Sequence, residues 1–387
     1  MAGWGAFVGR EGELSRLQSS LARRARLVLV VGDAGIGKSR FVSEGLARAT
    51  IDGMFTASGG CLPLAGKLPL LPIVDALAEL SRLDGGAPFE AALAAAPVYV
   101  RPEVAHLLPK LAVGEPAAAE PAEQWRYERL FAGVAELLDG VARRSPLVLL
   151  IEDVHWADVA TLDLLTYLVR PSRAGSVSLV VTCRSDEAPL DVAVAEWLTH
   201  VRRDAGLEEI RLGPLSKDEV AEQISGLVGA SPPQGLAEEV YGRAEGHPFF
   251  TEQLVAAAVT DSAQVTQPVV LPARLAELLV ARTARCGGDA RAVLAALAVA
   301  GRPLTEGMLV EITGRGSDAV RSAVQELAAA RLLADSADRG NELRHALLAE
   351  AVAAGLVQGE RVLLHERVAQ ALEASGGEAL AAEAAGH

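Results

Sequence analysis

The sequence is poor in aromatic residues, in cysteine and in positive charge, and it contains no long apolar run. Aromatic side chains make up 4% of the 387 residues, although half of the chain is apolar. An alanine-rich chain with so few rings favours closely packed helices. The length exceeds what one hydrophobic core usually holds, so we expect two to four domains.

The cysteines are few and far apart: Cys61, Cys183 and Cys286. An odd number without metal-ligand spacing argues against a disulfide framework and against a zinc site. No apolar run approaches the length of a membrane span, and the N-terminus lacks the basic-then-apolar pattern of a signal peptide. We therefore expect a cytoplasmic protein without a membrane partner, whose thiols are buried in a reducing compartment.

Positive charge is scarce, because 36 Lys and Arg stand against 50 Asp and Glu, for a formal net charge of −14. A strongly acidic chain is poorly suited to bind the phosphate backbone of nucleic acid without sequence preference. A local basic patch would still permit such binding, so the composition disfavours nucleic acid as a partner without excluding it.

One motif with strong chemical content follows the apolar run at residues 27–31. The next eight residues have the P-loop pattern: Gly32, Asp33, Ala34, Gly35, Ile36, Gly37, Lys38 and Ser39. Glycines let the backbone turn tightly and point N–H groups around a phosphate, at the positive end of a helix predicted over residues 40–49. Lys38 is expected to reach the β- and γ-phosphates, and Ser39 to offer its hydroxyl to Mg²⁺.

Two further apolar runs end in charged residues. Residues 147–151 precede Glu152 and Asp153, which indicates a buried parallel strand with carboxylates at its carboxyl end. One carboxylate would hold Mg²⁺, and the other would orient or deprotonate an attacking water; an ordinary strand that ends in a solvated turn is the alternative. Residues 178–183 precede Arg184. We expect this arginine either to point at the γ-phosphate or to pair with Asp186 at the surface.

The remaining pattern predicts the fold class. Strands also predicted at residues 54–58 and 209–212 alternate with helices, which indicates a doubly wound α/β domain over residues 1–212 with a parallel sheet. Ser216 and Glu219 form a capping box that opens a helix, Pro248 is well placed to begin another, and His247 is expected at the surface or at a helix cap.

The C-terminal part predicts helices and one hairpin. Three helical segments from residue 271 onward are followed by a hairpin within residues 332–343, which is a winged-helix pattern. His345 lies at the end of this hairpin, where a structural histidine and a functional one are both consistent with the sequence. The last residues look like the start of a further helix, so we expect a fragment of a longer protein or an incomplete helical array.

Six segments together resemble the ATPase module of the large LuxR-family regulators, which belongs to the STAND class of signalling ATPases related to AAA+ proteins. Besides the P-loop they are residues 8–11, 149–158, 182–186, 245–250 and 343–348. The P-loop alone is unspecific, but the Asp-Val-His-Trp-Ala-Asp segment at 153–158 followed by the Gly-His-Pro segment at 246–248 is specific. The resemblance implies a P-loop NTPase core over residues 1–212, a helical lid over 213–268, a winged-helix domain over 269–356 and the start of a helical arm or sensor over 357–387.

The resemblance also implies roles for single residues in binding ATP or ADP with Mg²⁺. Arg40 joins the P-loop residues that hold phosphates and metal, and Val8, Gly9 and Arg10 contact the adenine side. Glu152 stands where the family often has the Mg²⁺-coordinating aspartate, and Asp153 takes the second acidic position, so either carboxylate could serve the metal. Lys38, Glu152, Asp153 and Arg184 are the expected catalytic group.

Three matches lie at the edges of the expected site. Arg184 matches the γ-phosphate sensor, Pro248 the lid proline that packs on the base, and His345 the winged-helix histidine that contacts phosphate. Full-length family members continue into a sensor region and a DNA-binding domain, neither of which is evident in this sequence.

The expected function is a weak Mg²⁺-dependent ATPase that acts as a signalling switch in a LuxR-type transcriptional regulator. Adenine nucleotide would be the ligand, and the ATP state would self-associate. Two alternatives are an ATP-driven DNA-remodelling or loading ATPase and a P-loop kinase of small molecules. Salt-dependent binding to random duplex would favour the first alternative, and phosphate transfer to an acceptor other than water would favour the second.

Overall fold

The computed structural model describes residues 7–63, 69–111, 123–170, 177–185, 190–203, 206–229, 235–260, 271–334 and 340–374, with the backbone alone at 123–126 and 259–260. Asp186, the expected surface partner of Arg184, and the hairpin tip at 335–339 lie outside these ranges. The described residues form two compact units: a sheet unit, residues 10–185 and 190–213, and a helical unit, residues 7–9 and 214–374. No helix within these ranges is long and apolar enough to cross a membrane.

A five-stranded parallel sheet is the centre of the sheet unit. Its strands stand in the order β2-β3-β4-β1-β5, and every neighbouring pair is parallel. The strands are β1 Leu27–Gly32, β2 Phe55–Gly60, β3 Leu147–Glu152, β4 Val177–Arg184 and β5 Leu207–Arg211. The predicted parallel sheet is therefore confirmed, with each strand within a few residues of its expected position.

Burial explains why the central strands are apolar throughout. All six residues of β1 are buried, as are the first five of β3 and the middle six of β4. Because successive side chains of a strand point to opposite faces, both faces of the sheet must be covered. The order also places β4 between β3 and β1. The polar residues at the carboxyl ends of these three strands therefore meet at one edge of the sheet.

Helices surround this sheet. In the sheet unit they are α1 Glu11–Ala22, α2 Lys38–Ile51, α3 Leu71–Leu80, α4 Ala87–Ala95, α5 Val100–Ala105, α6 Glu123–Ala142, α7 Val159–Leu168 and α8 Val192–Val201, with short 3₁₀ turns at Leu83–Gly86, Pro109–Leu111 and Val154–Trp156. Sequence reasoning assigned no element to α4, α5 or α8. These helices are short and are stabilised by tertiary packing: α4 and α5 pack on the longer α6, and α8 packs on α7.

The helical unit is built around α13, a helix that is apolar from Ala292 to its end and in which nine residues are buried. Its helices are α9 Lys217–Val228, α10 Leu236–Ala244, α11 Pro248–Thr260, α12 Ala273–Ala281, α13 Gly288–Ala300, α14 Glu306–Thr313, α15 Ser317–Ala329, α16 Ala346–Gly355 and α17 Gln358–Ala374. Two isolated antiparallel bridges join Leu304 to Asn341 and Leu333 to Leu343. Two isolated bridges do not make up a hairpin, so the winged-helix interpretation stays a prediction.

The residues predicted to begin helices can be compared with the observed starts of α9 and α11. Ser216 and Glu219 form a reciprocal capping box at α9, as predicted. α11 begins at Pro248, also as predicted. Of the two alternatives for His247, the surface is wrong, because its side chain is buried and its ring stacks on Phe250 with centroids 4.1 Å apart. The residue instead stands at the cap position of α11, where its carbonyl accepts from the Thr251 N–H at 3.0 Å. An imidazole that pairs with an aromatic ring can be enclosed where an isolated polar group would not be.

Candidate functional site: a P-loop at the carboxyl edge of the sheet

The P-loop leaves β1 and enters α2 through two left-handed glycines. Gly35 has φ +80° and Gly37 has φ +94°, a region that side chains with a Cβ rarely occupy. Gly32 is needed for a different reason, since a Cβ there would lie 2.8 Å from the Ile36 side chain and 2.9 Å from the Leu212 carbonyl oxygen. The loop is therefore wrapped tightly at the N-terminus of α2, as an anion cradle requires.

Lys38 is buried under this loop. Its ammonium donates to the carbonyl oxygens of Gly32 at 2.8 Å and Asp33 at 2.9 Å, and 7% of the residue is exposed. Both acceptors are uncharged, so they solvate the cation without neutralising it. The next residue, Ser39, is exposed. A buried cation beside an exposed serine is a donor set that fits a phosphate and Mg²⁺.

Arg10 also contacts the P-loop. Its guanidinium donates to the carbonyl oxygens of Ile36 and Gly213, each at 2.9 Å, and the residue is buried. Its backbone is left-handed, with φ 62°. Sequence reasoning expected an adenine contact here; what the side chain does in this structure is tie the P-loop to the segment that follows β5.

The loop is also fastened to β4 through Ser185. The Ser185 hydroxyl donates to the Asp33 carboxylate at 2.6 Å, and the Ser185 N–H donates to the Gly32 carbonyl at 3.1 Å. Gly32 and Arg184 are partners in the β1–β4 register. The end of β4 therefore lies directly beside the start of the P-loop, which places Arg184 next to the expected phosphate site.

Glu152 is the last residue of β3 and Asp153 follows it, on the side of β4 opposite to β1. Asp153 takes a left-handed conformation, with φ 55° and ψ 47°, and its N–H donates to the Thr182 hydroxyl at 2.8 Å. Thr182 is fully buried on β4, beside Val30 of β1. Sequence reasoning did not single out Thr182; a hydroxyl in the middle of an otherwise apolar strand was the available signal.

The Asp153 carboxyl shares the electrostatic environment of the P-loop. Burial raises its pKa above the ordinary value of 3.8, and the nearby charges of Arg184 and Lys38 oppose that rise. The strand order and the bond to Thr182 place Asp153 beside the end of β4, which in turn lies beside the P-loop strand. The structure thus brings Lys38, Asp153 and Arg184 to one edge of the sheet, with Glu152 at the end of the same strand.

The segment after Asp153 is a short, strongly held turn. His155 is buried there, with Nδ1 3.8 Å from Asp153 Oδ1. Asp158 closes the turn by capping α7: it accepts from the Thr161 N–H at 3.0 Å and from the Leu70 N–H at 3.2 Å. An aspartate directly before a helix, with threonine three residues on, is a cap signal that sequence reasoning left unused.

Val8, Gly9, Pro248 and His345 belong to the helical unit. Gly9 has φ +69°, and its open side is filled by the Glu219 carboxylate. The Pro248 carbonyl oxygen accepts from the Gln223 side-chain amide at 3.1 Å. Two residues earlier, Gly246 has no space for a side chain, because a Cβ would lie 2.1 Å from the Leu215 carbonyl oxygen. Close packing therefore fixes the backbone at Gly9 and just before Pro248. The expected contacts of all four residues with nucleotide stay predictions.

His345 immediately precedes α16 and is mostly buried. Its Nδ1 lies 3.7 Å from the Glu245 carboxylate, and its ring meets His247 and Phe250 edge-on at 5.9 Å and 5.7 Å. The Ala346 N–H donates to Glu245 at 3.3 Å. In this structure Glu245 thus joins the end of α10 to the start of α16 through the histidine.

The comparisons with known proteins agree with this architecture. The family profile described as AAA ATPase domain matches residues 6–181, which contain the P-loop, β3 and most of β4. An uncharacterised protein of Rhizobium meliloti strain 1021 is 27% identical over 96% of this chain, and the chain spans 38% of the length of that relative.

Among solved structures, a Walker-type ATPase of Pyrococcus abyssi has 13% identity and a TM-score of 0.59, over 89% of this chain and 96% of that one. A STAND protein of Pyrococcus horikoshii with a tetratricopeptide repeat sensor has 15% identity and a TM-score of 0.38, over 97% and 46% of the two chains. The chain therefore has the fold of a P-loop ATPase, and over residues 6–181 it is similar to the AAA ATPase domain.

Proposed function

We propose that this chain is the nucleotide-binding switch module of a LuxR-type transcriptional regulator of the STAND class, which binds ATP or ADP with Mg²⁺ and hydrolyses ATP slowly. The observation that carries the proposal is the buried Lys38 ammonium, held by uncharged carbonyls inside a glycine cradle at the start of α2. A polyphosphate is attracted by this cation, by the N–H groups of the loop and by the positive end of the α2 dipole.

The residues at the sheet edge divide the chemistry among them. In the proposed site, Lys38 and the P-loop amides hold the β- and γ-phosphates, and Ser39 holds Mg²⁺ together with Glu152 or Asp153. Asp153 is the stronger candidate to orient the attacking water, because its carboxyl shares the field of Lys38 and Arg184. Mg²⁺ supplies charge neutralisation across the phosphates when it is bound.

The helical unit supplies the proposed switch. Residues 213–268 would be the lid and residues 269–356 the winged-helix domain, with residues 357–387 the start of a sensor arm. Arg243 on α10 makes a two-pronged ion pair with Glu350 on α16, at 2.7 Å and 3.0 Å, beside the Glu245–His345 contact. These contacts would hold the lid against the winged-helix domain in the ADP state. Exchange of ADP for ATP would separate the two, and the opened protein would self-associate.

Removal of the P-loop cation tests the site. A ligand at about 100 times its Kd stabilises a protein by about 2.7 kcal/mol, so Mg²⁺ with ATP or ADP is expected to raise Tm by several degrees. Lys38→Ala should abolish this rise. The measurement is Tm with and without nucleotide in each variant, because loss of the bonds to Gly32 and Asp33 also lowers the nucleotide-free Tm.

The matched control is Lys110→Ala. Lys110 is exposed and donates to the Ser81 hydroxyl at 2.7 Å, so its removal deletes a lysine of the same unit without touching the P-loop. This variant should keep the full rise in Tm with nucleotide. A Lys38→Ala protein that is stabilised by nucleotide as strongly as the native protein would contradict the proposed site.

A further inference from the structure

A tryptophan platform holds the arginine at the end of β4. The guanidinium carbon of Arg184 lies 4.7 Å from the centre of the Trp156 ring. Trp156 comes from the turn after β3, whereas Arg184 ends β4, so the contact joins the two strand ends that flank the expected γ-phosphate. Such cation–π contacts depend on the ring face and weaken when the aromatic ring is lost.

The ring itself is fixed by its turn. The backbone N–H of Trp156 donates to the Asp153 carbonyl at 2.9 Å, and the backbone N–H of Ala157 donates to the Val154 carbonyl at 3.0 Å. Asp158 then closes the turn through its bonds to α7 and to Leu70. The Trp156 side chain is partly buried against the core of the sheet unit, and the centres of the His155 and Trp156 rings lie 4.5 Å apart. Trp156 is therefore a rigid surface.

The backbone of Arg184 is equally fixed, but its side chain is long. Register with Gly32 and the Ser185 N–H bond to the Gly32 carbonyl set where the arginine begins. An arginine side chain has many rotamers of similar energy, and confining it costs entropy. The Trp156 ring restricts this choice by giving the guanidinium a flat surface on which to lie. The ring thereby contributes to the direction of the guanidinium, beside the charge of the Asp153 carboxyl.

We infer that Trp156 is a positioning residue that holds the Arg184 guanidinium toward the γ-phosphate position, and so sets the preference for nucleoside triphosphate over diphosphate. This inference rests on the proposed function. Trp156 touches no phosphate itself and acts through Arg184. A ligand without a γ-phosphate does not gain from the arrangement, and this separates positioning from general support of the fold.

The experiment measures the Kd of Mg²⁺–ADP and Mg²⁺–ATPγS for the native protein and for Trp156→Leu, Trp156→Phe, Arg184→Ala and the double variant Trp156→Leu/Arg184→Ala. Trp156→Leu should weaken ATPγS by about two- to five-fold, the value of an exposed cation–π contact, and leave the Kd of ADP unchanged. Trp156→Phe keeps a ring face and should recover most of the loss. In the Arg184→Ala background, Trp156→Leu should have no further effect on ATPγS.

Single-turnover hydrolysis gives a second readout. A misplaced charge at the reacting phosphate should cost more in rate than in affinity, on the order of ten-fold or above. The matched control is Tyr167→Leu, which removes the ring 5.0 Å from the Arg170 guanidinium. Arg170 lines a cavity of about 380 Å³ with Leu27, the first residue of β1, at the opposite edge of the sheet. This control should change neither Kd nor the rate.

Several results would overturn the inference. One is an equal weakening of ADP and ATPγS by Trp156→Leu, and another is a loss of the same size with and without Arg184, since both describe structural damage. Trp156→Met repeats the test with a flexible apolar side chain if the leucine variant is unstable. Failure of the native protein to bind either nucleotide would instead refute the proposed function, a result distinct from native binding that Trp156 does not influence.

Discussion

At the scale of single residues, the carboxyl edge of the sheet concentrates opposite charges in a largely buried setting. Lys38 is enclosed by carbonyl groups, Arg184 lies on Trp156, and the pKa of Asp153 is raised by burial against the pull of both cations. Such perturbed groups at one edge of a parallel sheet are typical of sites that bind charged ligands.

Replacement of Asp153 by asparagine should separate binding from turnover. The amide keeps the shape of the side chain but cannot accept a proton or carry charge, so Asp153→Asn should bind ATP and lose hydrolysis by about 100-fold or more. Phosphate release at saturating Mg²⁺–ATP is the measurement. Asp163→Asn, an exposed change on α7, is the control and should hydrolyse normally. Native turnover in Asp153→Asn would remove the role proposed for this carboxyl.

The same variant should change how stability depends on pH. A raised pKa means that the folded, nucleotide-free protein holds the Asp153 proton more tightly than the unfolded chain does. This contribution is fully present below the ordinary pKa of 3.8 and is lost as pH rises through the folded-state pKa. Asp153→Asn lacks it, so the variant should gain stability relative to the native protein across that window. Urea unfolding in steps from about pH 4 to about pH 7 measures this; parallel curves would contradict the assignment.

At the scale of elements, helix starts carry much of the local information. The capping box at α9 satisfies two backbone N–H groups: Glu219 Oε2 accepts from the Ser216 N–H at 2.7 Å, and the Ser216 hydroxyl accepts from the Glu219 N–H at 3.3 Å. The same Glu219 carboxylate fills the space above Gly9. α9 thus begins at a point where a cap and a close backbone approach depend on one side chain.

Loss of this cap should destabilise the helical unit. Ser216→Ala removes the acceptor for the Glu219 N–H, and the expected loss is about 1 kcal/mol in the free energy of unfolding. Ser225→Ala is the matched control, because Ser225 bonds within α9 to the Ala221 carbonyl at 2.9 Å and caps nothing. Its effect should stay within about 0.5 kcal/mol in the same chemical denaturation experiment. Equal losses in the two variants would argue against the cap as the cause.

At the scale of the whole molecule, charge and nucleotide state should together control association. The chain carries a formal net charge of −14, so copies repel one another at low salt. In the proposed switch, the nucleotide that favours the open state supplies the free energy that association needs. The Arg243–Glu350 and Glu245–His345 contacts are the described interactions that this opening would break.

Light scattering should therefore detect a larger mass with Mg²⁺–ATPγS than with Mg²⁺–ADP. The difference should grow as salt rises from about 10 mM to about 150 mM, since screening reduces repulsion between acidic copies. Lys38→Ala should show one mass under all conditions, because it cannot hold the phosphates. Identical masses of the native protein with both nucleotides, under conditions where binding is saturated, would refute nucleotide-controlled association.

The sequence by itself determined the features that depend on neighbouring residues. Apolar runs predicted the strands, glycine spacing predicted the P-loop, and Ser216 with Glu219 predicted a capping box, because each pattern acts over a few residues. The charged ends of β3 and β4 were visible for the same reason. The surface alternative for His247 was wrong because the burial of its ring against Phe250 depends on how the helices of the helical unit pack.

Only the tertiary structure decided which distant groups meet. The order β2-β3-β4-β1-β5 puts β4 between the P-loop strand and the Asp153 strand, and this brings Arg184 and Thr182 beside both. Arg10 reaches Ile36 and Gly213, and Trp156 supports Arg184, through contacts between residues far apart in the chain. Periodicity reports which face of an element is buried; it carries no record of the partner that covers it.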